Sequence, residues 1–370
     1  MKHSTKLFSV FGIDIKLHFS WWFVFILIAW SLSVSFFPQF FPDLSTKMYW
    51  SMGITASLLL FVSVLLHELS HSLIAKARRI KVESITLFFF GGVAGITREK
   101  MRPSSEFFMA IAGPIFSLLL AGAFFLLYKY NGNLFLTAIS FYLYQLNFIL
   151  AIFNLIPGFP LDGGRAFRAI LYAYYKDLRK ATRIAVKGGK FFAGILVVLG
   201  IFALFQGIGG GLWFVVLGGF LYYIAGMSYD QVVLREILIK IKVKEIMVKK
   251  FIKLKPEMKF SLFLKKYANS DKEVFMVKGK NFAGILDLNK VNKMPSKMQE
   301  MIQLKQIALP LSKVKKLNVD DNLYYALRRF TEQNLDILPV MKGDKILGLV
   351  RKSTLTHRLV WSLKFGDIKN

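Results

Sequence analysis

The chain has 370 residues, 55% of them hydrophobic and 37 of them Phe, with a mean hydropathy of +0.47, which excludes an ordinary soluble protein and points to several membrane spans. It has no Cys, so disulfides and Cys-ligated zinc are excluded. Its net charge of +28, from 50 Lys+Arg against 22 Asp+Glu, fits anionic-lipid contact and cytoplasmic loops, and no direct nucleic-acid partner is expected.

The first apolar stretch is long enough to span and has no small-residue cleavage pattern, so it reads as a span and not as a removable signal. Stretches free of Asp, Glu, Lys and Arg lie between Lys16 and Asp43, Lys47 and Glu68, Glu106 and Lys129, Lys129 and Asp162, and Lys190 and Asp230. A span needs about 20 apolar residues, and the last stretch is broken by QGIGGG at 206–211. Six spans follow, near 18–37, 50–75, 106–128, 133–155, 191–206 and 212–229. The loop after the second carries Lys76, Arg78, Arg79, Lys81, Arg98, Lys100 and Arg102. The loop after the fourth carries Arg165, Arg168, Lys176, Arg179, Lys180, Arg183, Lys187 and Lys190, while the alternate loops carry Lys47, Lys129 or nothing. The positive-inside tendency then puts both termini in the cytoplasm.

Inside the second span, VLLHELSHSLIA (64–75) sets His67, Glu68 and His71 among apolar residues. Residues four apart share a helix face, so both imidazoles can bind one metal ion. Zinc lowers the pKa of its bound water from about 15.7 to near 7, and the carboxylate of Glu68 is placed to take that proton. A buried polar network without metal, as in a proton relay, is the competing reading. His67 stands nine residues before Lys76, about 13 Å along a helix, which puts the metal inside the bilayer nearer the cytoplasm.

At the end of the fourth span comes NLIPGFPLDGGR (154–165). Pro157 and Pro160 break the helix, Gly163 and Gly164 permit close backbone approach, and Asp162 can turn inward as a third ligand. On its own this stretch also reads as an interfacial turn with Asp162 capping the next helix.

HExxH in one span and N-x-x-P-x-x-x-x-DGG in a later one, with GGVAGI (91–96) and AGP (112–114) between them, resemble the site-2 protease family of intramembrane zinc metalloproteases. The resemblance covers the chain to about residue 229. It implies one Zn2+ held by His67, His71 and Asp162, with Glu68 as general base and Asn154 holding the scissile peptide. It also implies a hairpin around FFFGGVAGI, with Gly91, Gly92 and Gly95, on which an unwound substrate pairs as an added strand. The donor set suits zinc, though iron or cobalt would bind too.

Beyond residue 230 the chain is Lys-rich and contains an approximate repeat in which Leu254 matches Leu317, Val277 matches Val340, and Gly284 matches Gly348 with one inserted residue. Each copy reads as a short strand, an amphipathic helix and two strands joined by a Lys-Gly turn. The pair resembles tandem CBS domains, which often sense adenine nucleotides. The first copy offers Gly284, Asp287 and Lys290 and the second Gly348, Arg351 and Thr354, and neither keeps the hydroxyl and acid at the offsets of the ribose-binding pattern.

The expected fold is therefore a polytopic α-helical membrane protein of six transmembrane helices, with a small β-hairpin or sheet near the active site and a cytoplasmic α/β tandem CBS tail. Its expected divisions are 1–230, a linker at 231–243, and repeats at 244–305 and 306–370. The expected activity is an intramembrane zinc endopeptidase acting on a membrane-spanning protein: a pro-transcription factor, an anti-sigma factor or a remnant signal peptide. The tail would regulate access or recruit substrate, and a homodimer through it is a further expected partner. A metal-ion or proton transporter using the same His/Glu/Asp cluster is the alternative, and a catalytically silent scaffold would require a missing catalytic residue.

Overall fold

The computed structural model describes residues 4–88, 91–96, 101–267, 275–286, 301–343 and 345–365. Phe89, Phe90, Arg98, Lys100, Asp287 and Lys290 lie outside the described residues. The chain divides into two units, Met1–Asp230 and Gln231–Asn370.

The first unit begins with a hairpin of β1 (Ser4–Val10) and β2 (Ile13–His18), turned at Phe11 and Gly12, both with positive φ. Three apolar helices follow in the order α1 (Ser20–Phe40), α2 (Thr46–Ala77) and, after β3 (Val82–Phe88) and β4 (Gly91–Ile96), α3 (Pro103–Tyr130). Then come α4 (Leu134–Leu155), the short amphipathic α5 (Asp162–Tyr175), α6 (Leu178–Phe205) and α7 (Gly211–Lys240). Among the described residues, six helices (all but α5) are long and apolar enough to cross a membrane, as the charge-free stretches predict. The helix ends overrun the expected spans because a helix continues past the first Lys: α6 starts thirteen residues before the apolar run that follows Lys190.

The sheet order is β1-β2-β3-β4, with β2 parallel to β3 because α1 and α2 intervene, and β4 left at the edge. Ile13, Ile15 and Ile85 point to one face of this sheet and are fully buried with Leu69 and Ala75 of α2 and Met109 of α3. Alternation along the strands thus clamps the sheet onto the helix that carries both histidines. The Lys76 ammonium at the end of α2 donates to the Phe11 carbonyl at 2.5 Å, tying the hairpin tip to the same helix.

The link between α4 and α5 is set by missing side chains. A Cβ on Gly189 of α6 would come within 1.9 Å of the Phe159 carbonyl oxygen, one on Gly163 within 2.3 Å of the Leu155 oxygen, and one on Gly164 within 2.3 Å of the Gly158 carbonyl carbon. The close approach expected of the glycine pair at 163–164 is what seats the proline-containing loop.

The second unit holds two sheets, and the segment expected as a linker begins as helix. Residues 231–240 are the last turns of α7, and Ile237, Leu238 and Ile241 are buried in the tail's main core with Leu317, Leu323, Leu338 and Val340. An apolar stripe hidden among charges at 231–243 reads as a linker by composition and as a helix face by period. After α8 (Val243–Ile246), the first copy contributes β5 (Ile252–Leu254), α9 (Phe260–Tyr267), β6 (Phe275–Lys278) and β7 (Ala283–Leu286). Next come α10 (Leu304–Ile307) and β8 (Ala308–Pro310). The second copy contributes β9 (Leu317–Asn318), α11 (Leu323–Gln333), β10 (Ile337–Lys342), β11 (Lys345–Arg351) and α12 (Lys352–Phe365).

The repeat is equivalent in detail. Leu254 pairs with Val277 and Val277 with Gly284, while Leu317 pairs with Val340 and Val340 with Gly348. The inserted residue of the second copy is taken up by a bulge in β11 at Leu347, opposite the Val340–Met341 step of β10. The segments that precede the copies are exchanged: Val248 bridges to Leu349 of the second copy, whereas β8 pairs with β7 of the first. Repeat boundaries drawn by sequence at 305/306 therefore separate β8 from the sheet it completes.

Candidate metal centre

His67 and His71 project from one face of α2 and are almost fully buried. Their Nε2 atoms stand 3.2 Å apart, and Asp162 Oδ2, from the first turn of α5, lies 3.3 Å from His67 Nε2 and 2.9 Å from His71 Nε2. The residues singled out as ligands from sequence are thus brought together, and among the described residues they form the one group of three such donors that could hold a metal ion.

Helix α3 orients the imidazoles. The Met109 carbonyl only accepts, so His71 Nδ1 donates to it at 2.5 Å, and a neutral ring then presents a lone pair at Nε2. Ser117 Oγ holds His67 Nδ1 at 2.9 Å. Between these two positions lies Gly113, where a Cβ would fall 2.3 Å from His71 Nε2 and 2.6 Å from His67 Nε2. The helix backbone therefore passes directly beside the ring nitrogens, and only glycine fits. Ser117 and Gly113 had a sequence signal, since 109, 113 and 117 share one face of α3, but nothing in a linear reading says which helix that face meets.

The donor set fits a divalent cation. With His67 in the same tautomer as His71, its Nδ1–H donated to Ser117, two imidazole lone pairs and a carboxylate oxygen converge, an arrangement that repels itself without a positive ion. Three ligands about 2.1 Å from one tetrahedral zinc stand about 3.4 Å apart, close to the separations found. The other Asp162 oxygen faces Arg165 Nη1 at 3.5 Å.

Glu68 is half-buried one residue past His67 and has no ion-pair partner among the described residues. A Cβ on Gly92 would lie 2.4 Å from its Cγ, so β4 crosses immediately beside this carboxylate. Gly92 pairs with Leu87 and Gly91 with Phe88, whereas Gly95 lies where the β3–β4 register shifts. Asn154, near the end of α4, donates from Nδ2 to the Leu150 carbonyl of its own helix at 3.0 Å.

Sequence reasoning missed one further pair. Glu106, 3% exposed in the first turn of α3, accepts from Arg168 of α5 through both Nε, at 2.9 Å, and Nη2. The Arg168 guanidinium also stacks on the Phe159 ring, 4.8 Å from its centroid. This pair joins the helix that orients the histidines to the helix that supplies Asp162.

The model of peptidase family M50 matches residues 55–141 and 132–199. The chain is 29% identical to the putative zinc metalloprotease sll0528 of Synechocystis, over 96% of this chain and 95% of that one. It is 31% identical to the site-2 protease of Methanocaldococcus jannaschii, whose structure matches with a TM-score of 0.42 over 61% of this chain and 95% of that one. A crystal structure of the CBS domain NE2398 matches with a TM-score of 0.28 and 17% identity over 30% of this chain and 89% of that one.

Proposed function

Because the chain belongs to the site-2 protease family, whose members are membrane-embedded zinc metallo-endopeptidases, we propose that His67, His71 and Asp162 hold one zinc ion and that Glu68 is the general base. The observation that carries the reading is the convergence of two Nε2 atoms and one carboxylate oxygen within 3.3 Å of one another, with Glu68 beside them. A zinc ion at these donors supplies Lewis acidity, polarising a carbonyl and lowering the pKa of water to about 7.

The chain's own groups do the rest. Glu68 takes a proton from the attacking water as the water oxygen bonds to the scissile carbonyl carbon. It then delivers that proton to the amide nitrogen as the C–N bond breaks. Ser117 and the Met109 carbonyl hold the imidazole rings in orientation meanwhile. An extended substrate segment pairs along the open edge of β4, past Gly91, Gly92 and Gly95, which lays its backbone next to Glu68. Asn154 steadies the scissile peptide through its side-chain amide.

The substrate is a single-span membrane protein whose helix unwinds locally, since peptide bonds in a lipid-facing helix are already hydrogen-bonded and dry. A membrane-tethered transcription-factor precursor, an anti-sigma factor or a remnant signal peptide meets that description. The basic loops after α2 and α4 support a cytoplasmic location for both termini and for the cut. The CBS-like tail gates access, recruits substrate or pairs two chains. An adenine nucleotide is its candidate ligand, although Arg351 and Thr354 depart from the ribose-binding pattern.

The test is cleavage of single-span substrates by the full chain in detergent, with zinc content measured in parallel. Chelator-sensitive cuts restored by zinc, together with a Glu68→Gln protein that keeps its zinc but loses at least about 10³-fold in rate, are expected. Full turnover by Glu68→Gln would refute the assignment, and ion flux across proteoliposomes without cleavage would favour the transporter.

A further inference from the structure

Helices α6 and α7 run antiparallel, and their two ends are built differently. Near the 206–210 turn, glycines bring the backbones together: a Cβ on Gly200 would lie 2.6 Å from the Gly211 carbonyl oxygen, and one on Gly218 2.7 Å from the Ala193 oxygen. Toward the other end the facing positions become cations and phenols. Arg183, Lys187 and Lys190 are spaced i, i+4, i+7 on α6, and Tyr222, Gly226 and Tyr229 repeat that spacing on α7.

The two rows meet. Arg183 Nη2 donates to the Tyr229 hydroxyl at 3.0 Å, and Lys190 Nζ lies 4.6 Å from the Tyr222 ring centroid. A Cβ on Gly226 would stand 3.5 Å from that same Nζ, so the bare glycine leaves a notch beside the ammonium, between the two tyrosines. No carboxylate pairs with Arg183, Lys187 or Lys190 among the described residues. Asp177 caps the start of α6 by accepting from Lys180 N at 3.0 Å, and Asp230 follows Tyr229 but is exposed.

Depth sharpens the point. The uncharged run from Phe191 to Phe205 is only 15 residues, about 22 Å, against a hydrocarbon core of about 30 Å. Lys190 is therefore drawn to the level where hydrocarbon begins, and its ammonium turns into the groove over Tyr222 instead of being left fully exposed. Exposed apolar surface starts with the next residue, at Phe191, and continues through Ile195 and Val198.

Three cations with no ion-pair partner among the described residues, one of them beside a notch and with acyl-compatible surface immediately adjacent, match one kind of ligand. We propose that the groove between α6 and α7 binds the phosphodiester headgroup of an anionic glycerophospholipid at Arg183, Lys187 and Lys190, with its tails along Phe191 and Ile195. A zwitterionic lipid brings its own cation into the same space and is disfavoured.

The experiment uses the full zinc-loaded chain, reconstituted in nanodiscs of equimolar phosphatidylglycerol and phosphatidylcholine, then released and weighed intact for retained lipid. Preferential retention of phosphatidylglycerol is expected, falling at least fivefold in Lys187→Gln/Lys190→Gln and in Gly226→Leu, which fills the notch, and kept in Lys190→Arg. Zinc content and the circular-dichroism spectrum should match the wild type, which separates a lost ligand from a lost fold. Equal retention of the two lipids, or unchanged retention in both variants, overturns the proposal. So does displacement of the lipid by millimolar inorganic phosphate, which would make this a small-anion site, or by an acidic single-span peptide, which would make it a substrate surface.

Discussion

The membrane unit and the tail use charge in opposite ways. In the first, the buried ionisable groups Glu106, His67 and His71 are each held by a partner from another helix: Arg168, Ser117 and the Met109 carbonyl. In the tail, Glu332 draws Lys315 at 2.8 Å and Arg328 at 2.8 Å on an open surface, where water can replace either partner. A charge that has lost water must be matched atom for atom, whereas a solvated one is interchangeable. Single substitutions should therefore be severe in one unit and mild in the other.

The strongest challenge to that contrast is Gly113→Ala. One methyl group at 2.3 Å from His71 Nε2 must displace a ring, and bound zinc should fall by a factor of about 10–100 on titration in detergent. Unchanged zinc affinity would show that the rings have slack the packing does not suggest. Next comes Glu106→Gln, which strands the Arg168 guanidinium in a buried position. It should cost about 3 kcal/mol in denaturant unfolding, and removing Arg168 as well should recover part of that loss. Smallest is Glu332→Gln, expected to shift the tail's unfolding by less than about 1 kcal/mol. The Lys315 ammonium, hydrogen-bonded to Glu332, holds that carboxyl below its usual range. Its small contribution is thus present above the unfolded value of about 4.3 and fades as pH falls through the lower folded value, so wild type and variant should converge in acid.

The same contrast governs what could be read from the chain before its fold. His67, Glu68, His71 and Asp162 stood out because ionisable residues are rare in apolar runs, and the six spans followed from where charge is absent. Ser117, Gly113 and the Met109 carbonyl are ordinary residues in an apolar helix, and they matter only because α3 packs against α2. Glu106 looked like the boundary of a span, yet it is buried against an Arg 62 positions away. In the tail, matching Val277 with Val340 and Gly284 with Gly348 gave the strand pairs directly. The exchange of leading segments escaped because it depends on partners about 100 residues distant, as for Val248 and Leu349. The burial of Ile237, Leu238 and Ile241 was hidden for a related reason: an apolar stripe among charges declares itself only once a core exists to receive it.

That exchange has a bearing on how the tail can be shortened. The last turns of α7 and the residue that follows them bury Ile237, Leu238 and Ile241 against residues contributed largely by the copy most remote along the chain. A stop codon placed between the copies would not leave half a tail intact. It would strip the cover from that greasy stripe and simultaneously deprive Val248 of its ladder neighbour, so deletions from the C-terminus should behave as all-or-none events.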